Sequence, residues 1–209
     1  MKTIIVISTG RCGTKRLTEI LKHYLADQNI SVKHQSTISR LANVLGNMMY
    51  YIGSIEWLKT WIFSTIYKTD SGGLIVTDPL SSMCLPREIY NNGETLILHI
   101  YREESSFAVS MFNLTRRRLF SFIAHNFIPL WQIGLWPLEN LINPRIKKHY
   151  ELICRKKNEW FKSQFGHLKN YRSIDMEQLF TSGFIEKILF EHFHIQVKIE
   201  DEQLKIKSN

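Results

Sequence analysis

Hydrophobic positions along the 209-residue chain follow two alternating rhythms. Short runs of aliphatic and β-branched residues at Ile4–Ser8, Ser31–His34, Leu74–Thr77 and Thr95–Tyr101, with a fifth at Tyr171–Ile174, read as strands. The first and fourth are nearly continuous apolar runs, the pattern of parallel strands covered on both faces. Between the first two, Leu17, Ile20, Leu21, Tyr24 and Leu25 recur at i, i+3, i+4, i+7 and i+8, one apolar face of a helix. The same periodicity predicts helices over about 38–67, 84–91, 105–128, 145–165 and 177–193. In the 145–165 helix, Ile146, Tyr150, Ile153, Trp160, Phe161 and Phe165 form the expected buried face, with the basic residues turned outward. This alternation predicts an α/β fold, a three-layer sandwich around a central parallel sheet with right-handed crossovers. No repeat or Pro/Ser-rich linker divides the chain, so residues 1–209 are expected to form a single domain.

The most apolar stretch, Leu119–Ile142, has the length of a membrane span, but Pro129 and Pro137 would break a spanning helix. His125, Asn126, Gln132 and Glu139 interrupt it as well. A core helix followed by an apolar lid over about 119–142 is the better reading, and such a lid could line the pocket of an apolar acceptor. Trp57, Trp61, Trp131 and Trp136 are further candidates for that pocket, although aromatic residues at helical spacing more often pack a core.

Composition narrows the setting. With 44% hydrophobic and 22% charged residues the chain suits a folded soluble protein, not a disordered one. Cys12, Cys84 and Cys154 are odd in number, far apart and in no metal-ligand spacing, which points to a reducing compartment, the cytoplasm. The apolar run Ile4–Ile7 stops at Ser8, too short for the core of a secretory signal. The net charge of +8 is concentrated: nine Lys/Arg against Glu151 and Glu159 give +7 between Arg145 and Arg172. A solvated helix face is the plain reading. The functional readings are an anionic ligand or peripheral contact with an acidic membrane surface. Nucleic acid is disfavoured, since no known nucleic-acid module with interleaved aromatics is present.

The clearest chemistry lies in Ser8-Thr9-Gly10-Arg11-Cys12-Gly13-Thr14-Lys15-Arg16, between the first strand and the first helix. Two glycines let the backbone turn sharply and bring N–H groups close to an anion. Thr14 opens a helix whose unpaired N–H groups and positive dipole end favour phosphate. Arg11, Lys15 and Arg16 add three positive charges. The segment is not a Walker A loop, because Thr14 stands where the lysine after Gly13 should be. Residues for Mg²⁺ are also missing, so no metal is expected. A second segment repeats the logic: the strand Thr95–Tyr101 runs into Arg102, with Ser110 eight positions later on the next helix. An Arg at a strand's carboxyl end can fork onto a phosphate, in the crevice where parallel sheets place ligands.

Both segments resemble the sulfotransferases that use 3′-phosphoadenosine-5′-phosphosulfate (PAPS). Gly10, Arg11, Gly13, Thr14 and Leu17 fall near the positions of that family's 5′-phosphosulfate loop, with Cys12 in place of the usual serine and Lys15 in place of the second hydroxyl residue. Arg102 and Ser110 reproduce the spacing of its 3′-phosphate motif. Tyr171–Leu179 resembles its late strand and acidic helix start, with Asp175 as a cap. The resemblance touches residues 4–34, 74–113 and 170–193 and implies a sulfotransferase-like version of the P-loop NTPase-like fold. No counterpart of the family's C-terminal basic-glycine segment stands out. Arg116, Arg117 or Arg118, or Lys205 and Lys207, are candidates to replace it.

Taken with the resemblance, these residues imply transfer of a sulfuryl group from PAPS to an acceptor hydroxyl or amine, releasing the desulfated product PAP. The resemblance places Gly10, Arg11, Cys12, Gly13, Thr14 and Lys15 on the 5′-phosphate and Arg102 and Ser110 on the 3′-phosphate. It also puts Arg11 in the slot that stabilises charge on the leaving phosphate. The base is open between His34, which titrates in a useful range, and Asp78, at the carboxyl end of the third strand. The acceptor is expected to be a small or lipid-like molecule of apolar character; its identity and the oligomeric state are not legible. An atypical nucleotide-dependent, kinase-like transferase of small molecules is the alternative within this fold. A non-catalytic module binding an anion or a membrane surface through the basic segment is the alternative outside it.

Overall fold

The computed structural model describes residues 1–127, 130–131, 133, 146–181 and 183–204. Five strands, β1 (Lys2–Ser8), β2 (Ile30–Lys33), β3 (Gly73–Val76), β4 (Thr95–Tyr101) and β5 (Tyr171–Asp175), form one sheet in the order β2-β3-β1-β4-β5. Every pairing is parallel, and β1 is central, with Ile5 opposite Val76 on one side and Ile97 on the other. The five expected strands are all present, each within one or two residues at its ends.

Alternation along β1 explains the layers. Ile4 and Val6 face one side and pack with Leu17, Ile20 and Leu21 of α1 (Thr14–Tyr24). Ile5 and Ile7 face the other and pack with Phe161 and Phe165. A strand covered on both faces has no polar side to show, hence the apolar run Ile4–Ile7. On the α1 side lie α8 (Met176–Leu179), α9 (Phe184–Phe193) and α10 (Asp201–Leu204). The opposite layer contains α2 (Thr37–Ile52), α3 (Glu56–Tyr67), α4 (Arg87–Tyr90), α5 (Glu104–Arg117), α6 (Leu119–Phe127) and α7 (Ile146–Phe165). In that layer Phe107, Ala108 and Met111 of α5 pack against Tyr150, Ile153 and Cys154 of α7.

Four of the expected helices are shorter than their periodicity suggested; the one over 84–91 is only Arg87–Tyr90, following a separate turn of 3-10 helix at Ser82–Cys84. The 38–67 pattern is two helices, α2 and α3, because Gly53 at φ 94° ends the first. Left-handed Gly183 starts α9 anew, a conformation that glycine adopts without steric cost. The 105–128 pattern breaks at Arg118, whose backbone is extended (φ −136°, ψ 104°) between α5 and α6. Among the described residues no helix is long and apolar enough to cross a membrane. Of the expected lid, 128–129, 132 and 134–142 lie outside the described residues, as do Trp136, Arg145, Lys205 and Lys207.

Candidate phosphate-binding site

The loop after β1 is built on left-handed backbone. Gly10 (φ 89°), Arg11 (φ 57°) and Gly13 (φ 73°) all have positive φ, so the chain doubles back at the carboxyl end of the central strand. Gly13 is irreplaceable for a second reason: a Cβ there would lie 2.6 Å from the Phe180 ring. Cys12 drops into the core with no exposure, donating from Sγ to the Gly10 carbonyl at 3.1 Å. Burial pushes its thiol up to about 11, so it stays protonated and holds the loop from beneath. Of the loop residues expected to meet a ligand, Cys12 can therefore offer only its backbone. Gly13 caps α1 without any side-chain cap, and the first bond back into the helix runs from Leu17 N to Gly13 O at 2.9 Å. The first-turn N–H groups ahead of it have no partner within the helix and open toward an anion.

A cavity of about 1220 Å³ opens at this edge of the sheet, lined by Gly10, Arg11, Gly13, Thr14, Lys15, His34, Arg102 and Ser110. The two sequence segments are docked on each other inside it. Arg11 Nε donates to Ser110 Oγ at 3.0 Å, and an Arg102 terminal nitrogen donates to the Arg11 carbonyl at 3.1 Å. The Arg11 guanidinium is held below its ordinary range, first by burial and then by Arg102 and Arg118 nearby. None of these three arginines has an ion pair among the described residues. Like charges brought together without a counter-ion repel each other, and an arriving anion relieves that cost. Arg117 and Arg118 also line the cavity; Arg116 instead lies over the Phe112 ring.

Of the other loop cations, Arg16 is committed and Lys15 is not. Arg16 donates twice to the Gln203 carbonyl, at 3.1 and 2.7 Å, which ties α1 to α10. Lys15 is 84% exposed and stands 3.9 Å from Glu19. At the start of α5, the Glu103 carboxylate accepts from the amides of Ser105 and Ser106 and is held at about 2, which fixes the turn that follows Arg102.

The two base candidates are placed very differently. His34 follows β2 and lines the cavity, its Nδ1 2.9 Å from the Thr77 carbonyl. A carbonyl oxygen only accepts, so in the neutral ring it is Nδ1 that carries the proton and Nε2 that has the lone pair. Asp78 is buried and not among the lining residues. Its carboxylate accepts from the Tyr67 hydroxyl at 2.8 Å and the Leu80 amide at 2.9 Å, so it is satisfied as the cap of the turn after β3. Trp131 lines the cavity, whereas Trp57 and Trp61 sit exposed on α3.

The basic segment is less uniform than its composition suggests. Arg155 grips Glu104 with contacts of 2.8–3.1 Å, and Arg172 pairs with Glu191. Lys157, expected on the outward face of α7, is buried and lines the cavity. Helical spacing contained the signal, because Lys157 stands at i+7 from Tyr150 and i+3 from Cys154, both wholly buried.

A parallel sheet whose central strand runs through a tight glycine loop into a helix at its carboxyl edge has the P-loop-like α/β architecture. No family model matches the sequence, nor does any curated protein. Solved structures do match. A sulfotransferase from Alicyclobacillus acidocaldarius aligns over 97% of this chain and 88% of its own, at TM-score 0.51 and 10% identity. The sulfotransferase domain from the curacin biosynthetic pathway aligns over 97% and 76%, at TM-score 0.48 and 12% identity. Mouse sulfotransferase SULT7A1, solved in complex with PAP, aligns over 97% and 60%, at TM-score 0.47 and 18% identity. The first of these likenesses carries the fold: this chain is built on the sulfotransferase architecture.

Proposed function

We propose that the protein is a PAPS-dependent sulfotransferase that moves a sulfuryl group to a hydroxyl or amine. The observation that carries this reading is the meeting of Arg11, Arg102 and Arg118, with no ion pair to any of them among the described residues, beside the amides of the Gly10–Thr14 turn. A donor with phosphates at its 3′ and 5′ positions suits a site with positive charge on both sides of one crevice. In this reading the loop amides, Thr14 and Lys15 hold the 5′-phosphate, while Arg102 and Ser110 hold the 3′-phosphate. Arg117 and Arg118 line the same cavity and take the part of the missing basic-glycine segment.

Transfer forms a bond from the acceptor oxygen or nitrogen to sulfur and breaks the bond from sulfur to the bridging oxygen. The electron pair of the broken bond leaves on the 5′-phosphate, where the Arg11 guanidinium stabilises it. The acceptor's proton passes to His34 Nε2, the nitrogen left basic by the Nδ1 contact with Thr77. Positioning and electrostatics supply most of the rate in the analogous phosphoryl transfers, and the same parts suffice here. The three buried free thiols suit a reducing, cytoplasmic setting.

The test is thermal stabilisation by PAP, ATP, GTP and adenosine 5′-monophosphate at equal concentration. PAP should raise the melting temperature most. Equal stabilisation by ATP would move the protein to the kinase-like alternative. No response to any nucleotide would leave the anion-binding module.

A further inference from the structure

Lys157 occupies a position where lysine is costly. It lies on the inner face of α7 between Cys154 and Phe161, 4% exposed, and it borders the cavity. No carboxylate stands within ion-pairing distance of its ammonium among the described residues. The groups of opposite tendency that it senses are Cys12 below the loop, Cys154 on its own helix and Asp78 after β3. Both thiols are held protonated by burial, and the Asp78 carboxylate is engaged by Tyr67 and Leu80. From α6, His125 adds no negative charge; Lys157 itself helps to keep that imidazole neutral. A lysine so deeply set, with no ion pair among the described residues, is kept only where something else gains from it.

Charge and neighbours indicate what gains. Seven Lys/Arg line the cavity against Glu19 as the one carboxylate among the described residues. Lys15 and Arg16 share Glu19, and the donor's two phosphates fall to Arg11, Arg102 and the loop. Lys157 remains over. It shares the cavity lining with Asn43, Ser121, His125 and Trp131, and it is near enough to His125 on α6 to act on that imidazole. The wall there combines apolar rings with hydrogen-bonding groups.

Resting on the sulfotransferase reading, we infer that Lys157 anchors a further oxyanion site at the acceptor end of the cavity, and that the acceptor is an acidic molecule. Its carboxylate, phosphate or sulfate ester sits on Lys157 while its hydroxyl or amine faces His34, and its apolar body lies against Trp131. Acidic acceptors are then favoured over neutral ones of the same shape.

Inorganic sulfate is the probe, titrated against chloride at matched ionic strength, with thermal stability and calorimetry as readouts. With PAP saturating the donor site, sulfate should still bind, and Lys157→Met should weaken it by about ten-fold or more, as expected for loss of a charge-assisted contact. Lys157→Arg should keep most of the response. Without any anion, Lys157→Met should melt higher than the parent, which a structural lysine would not show. The acceptor assignment needs sulfate to bind with PAPS in place of PAP as well; its loss there would move Lys157 to the transferring sulfuryl and overturn that assignment. Unchanged sulfate affinity in Lys157→Met would overturn the site itself. A protein that ignores PAP yet loses its sulfate response with Lys157 would refute the donor reading and keep the anion site.

Discussion

Arg11 and Ser110 lie 99 residues apart in sequence and meet through a 3.0 Å hydrogen bond from the guanidinium Nε to the hydroxyl. With the Arg102 contact to the Arg11 carbonyl, this bond joins the loop after β1 to the start of the helix after β4. The two segments proposed to bind phosphate are therefore one preorganised unit. A ligand that bridges them has little left to order, and that is how a site gains affinity without added contacts.

Donor choice tests the unit. If Arg102 and Ser110 grip a 3′-phosphate, PAP binds more tightly than adenosine 5′-monophosphate in calorimetry. Arg102→Ala should erase most of the difference, about 1.5–3 kcal/mol for a hydrogen bond to a charged group. Equal affinities in the unmutated protein would refute the assignment.

Arg11 separates binding from chemistry. Arg11→Ala should lower PAP release from PAPS, assayed with a panel of phenols, alcohols and amines, by roughly 10²-fold or more. PAP affinity should fall less, because the loop amides and Arg102 remain. Arg11→Gly tests the backbone separately. It removes the same charge but relieves the positive φ of 57°, so it should melt higher than Arg11→Ala.

His34 and Asp78 are predicted to fail in different ways. His34→Ala should cut turnover by about 10² to 10⁴-fold with PAP affinity unchanged, the loss of a positioned base. Asp78→Asn should mainly lower the melting temperature, because it weakens the acceptor for the Tyr67 hydroxyl and Leu80 amide in a buried turn. Full activity in His34→Ala with a folded, inactive Asp78→Asn would exchange the roles.

Gly13→Ala should damage fold and site together. Its Cβ would meet the Phe180 ring at 2.6 Å, and φ of 73° is strained for alanine by about 1–2 kcal/mol. Thermal melts should show the loss, and PAP should no longer stabilise the variant fully. Adding Phe180→Leu should recover the part due to the clash and leave the part due to φ.

Lys157 carries a pH signature. Burial lowers its ammonium to about 8 from the ordinary 10.5. Below pH 8 it is charged in both states and burying it opposes folding. Between about 8 and 10.5 the unfolded chain holds a proton that the folded chain has released, so this group's contribution to stability rises with pH. The melting advantage of Lys157→Met should therefore be largest near neutrality and shrink across that window. Cys12 and Cys154, raised to about 11 and about 12, give slopes of the opposite sign, but they are common to both proteins and cancel in the difference. An advantage that stays constant from pH 7 to pH 10.5 would contradict the buried ammonium.

The strand pattern, the left-handed loop at Gly10 and Gly13, and the Arg102–Ser110 spacing are determined by the sequence itself. Each is local, set by side-chain period, backbone freedom or the distance along one strand–helix junction. Tertiary structure decided the rest. Arg118 reaches the cavity because the helical pattern breaks there, and no glycine or proline in the sequence marks that break. Cys12 turns into the core where it meets Thr9 of its own loop, which Cys154 of α7 contacts from 145 residues away. Asp78 caps a turn instead of facing a ligand, since Tyr67 arrives from α3 to claim its carboxylate. Lys157 shows the physical reason most directly. Helical period alone put it on the buried face of α7, but charge argues for the outside. The conflict resolves only where a cavity borders that face, and whether one does depends on how the strands and helices pack, not on any run of neighbouring residues.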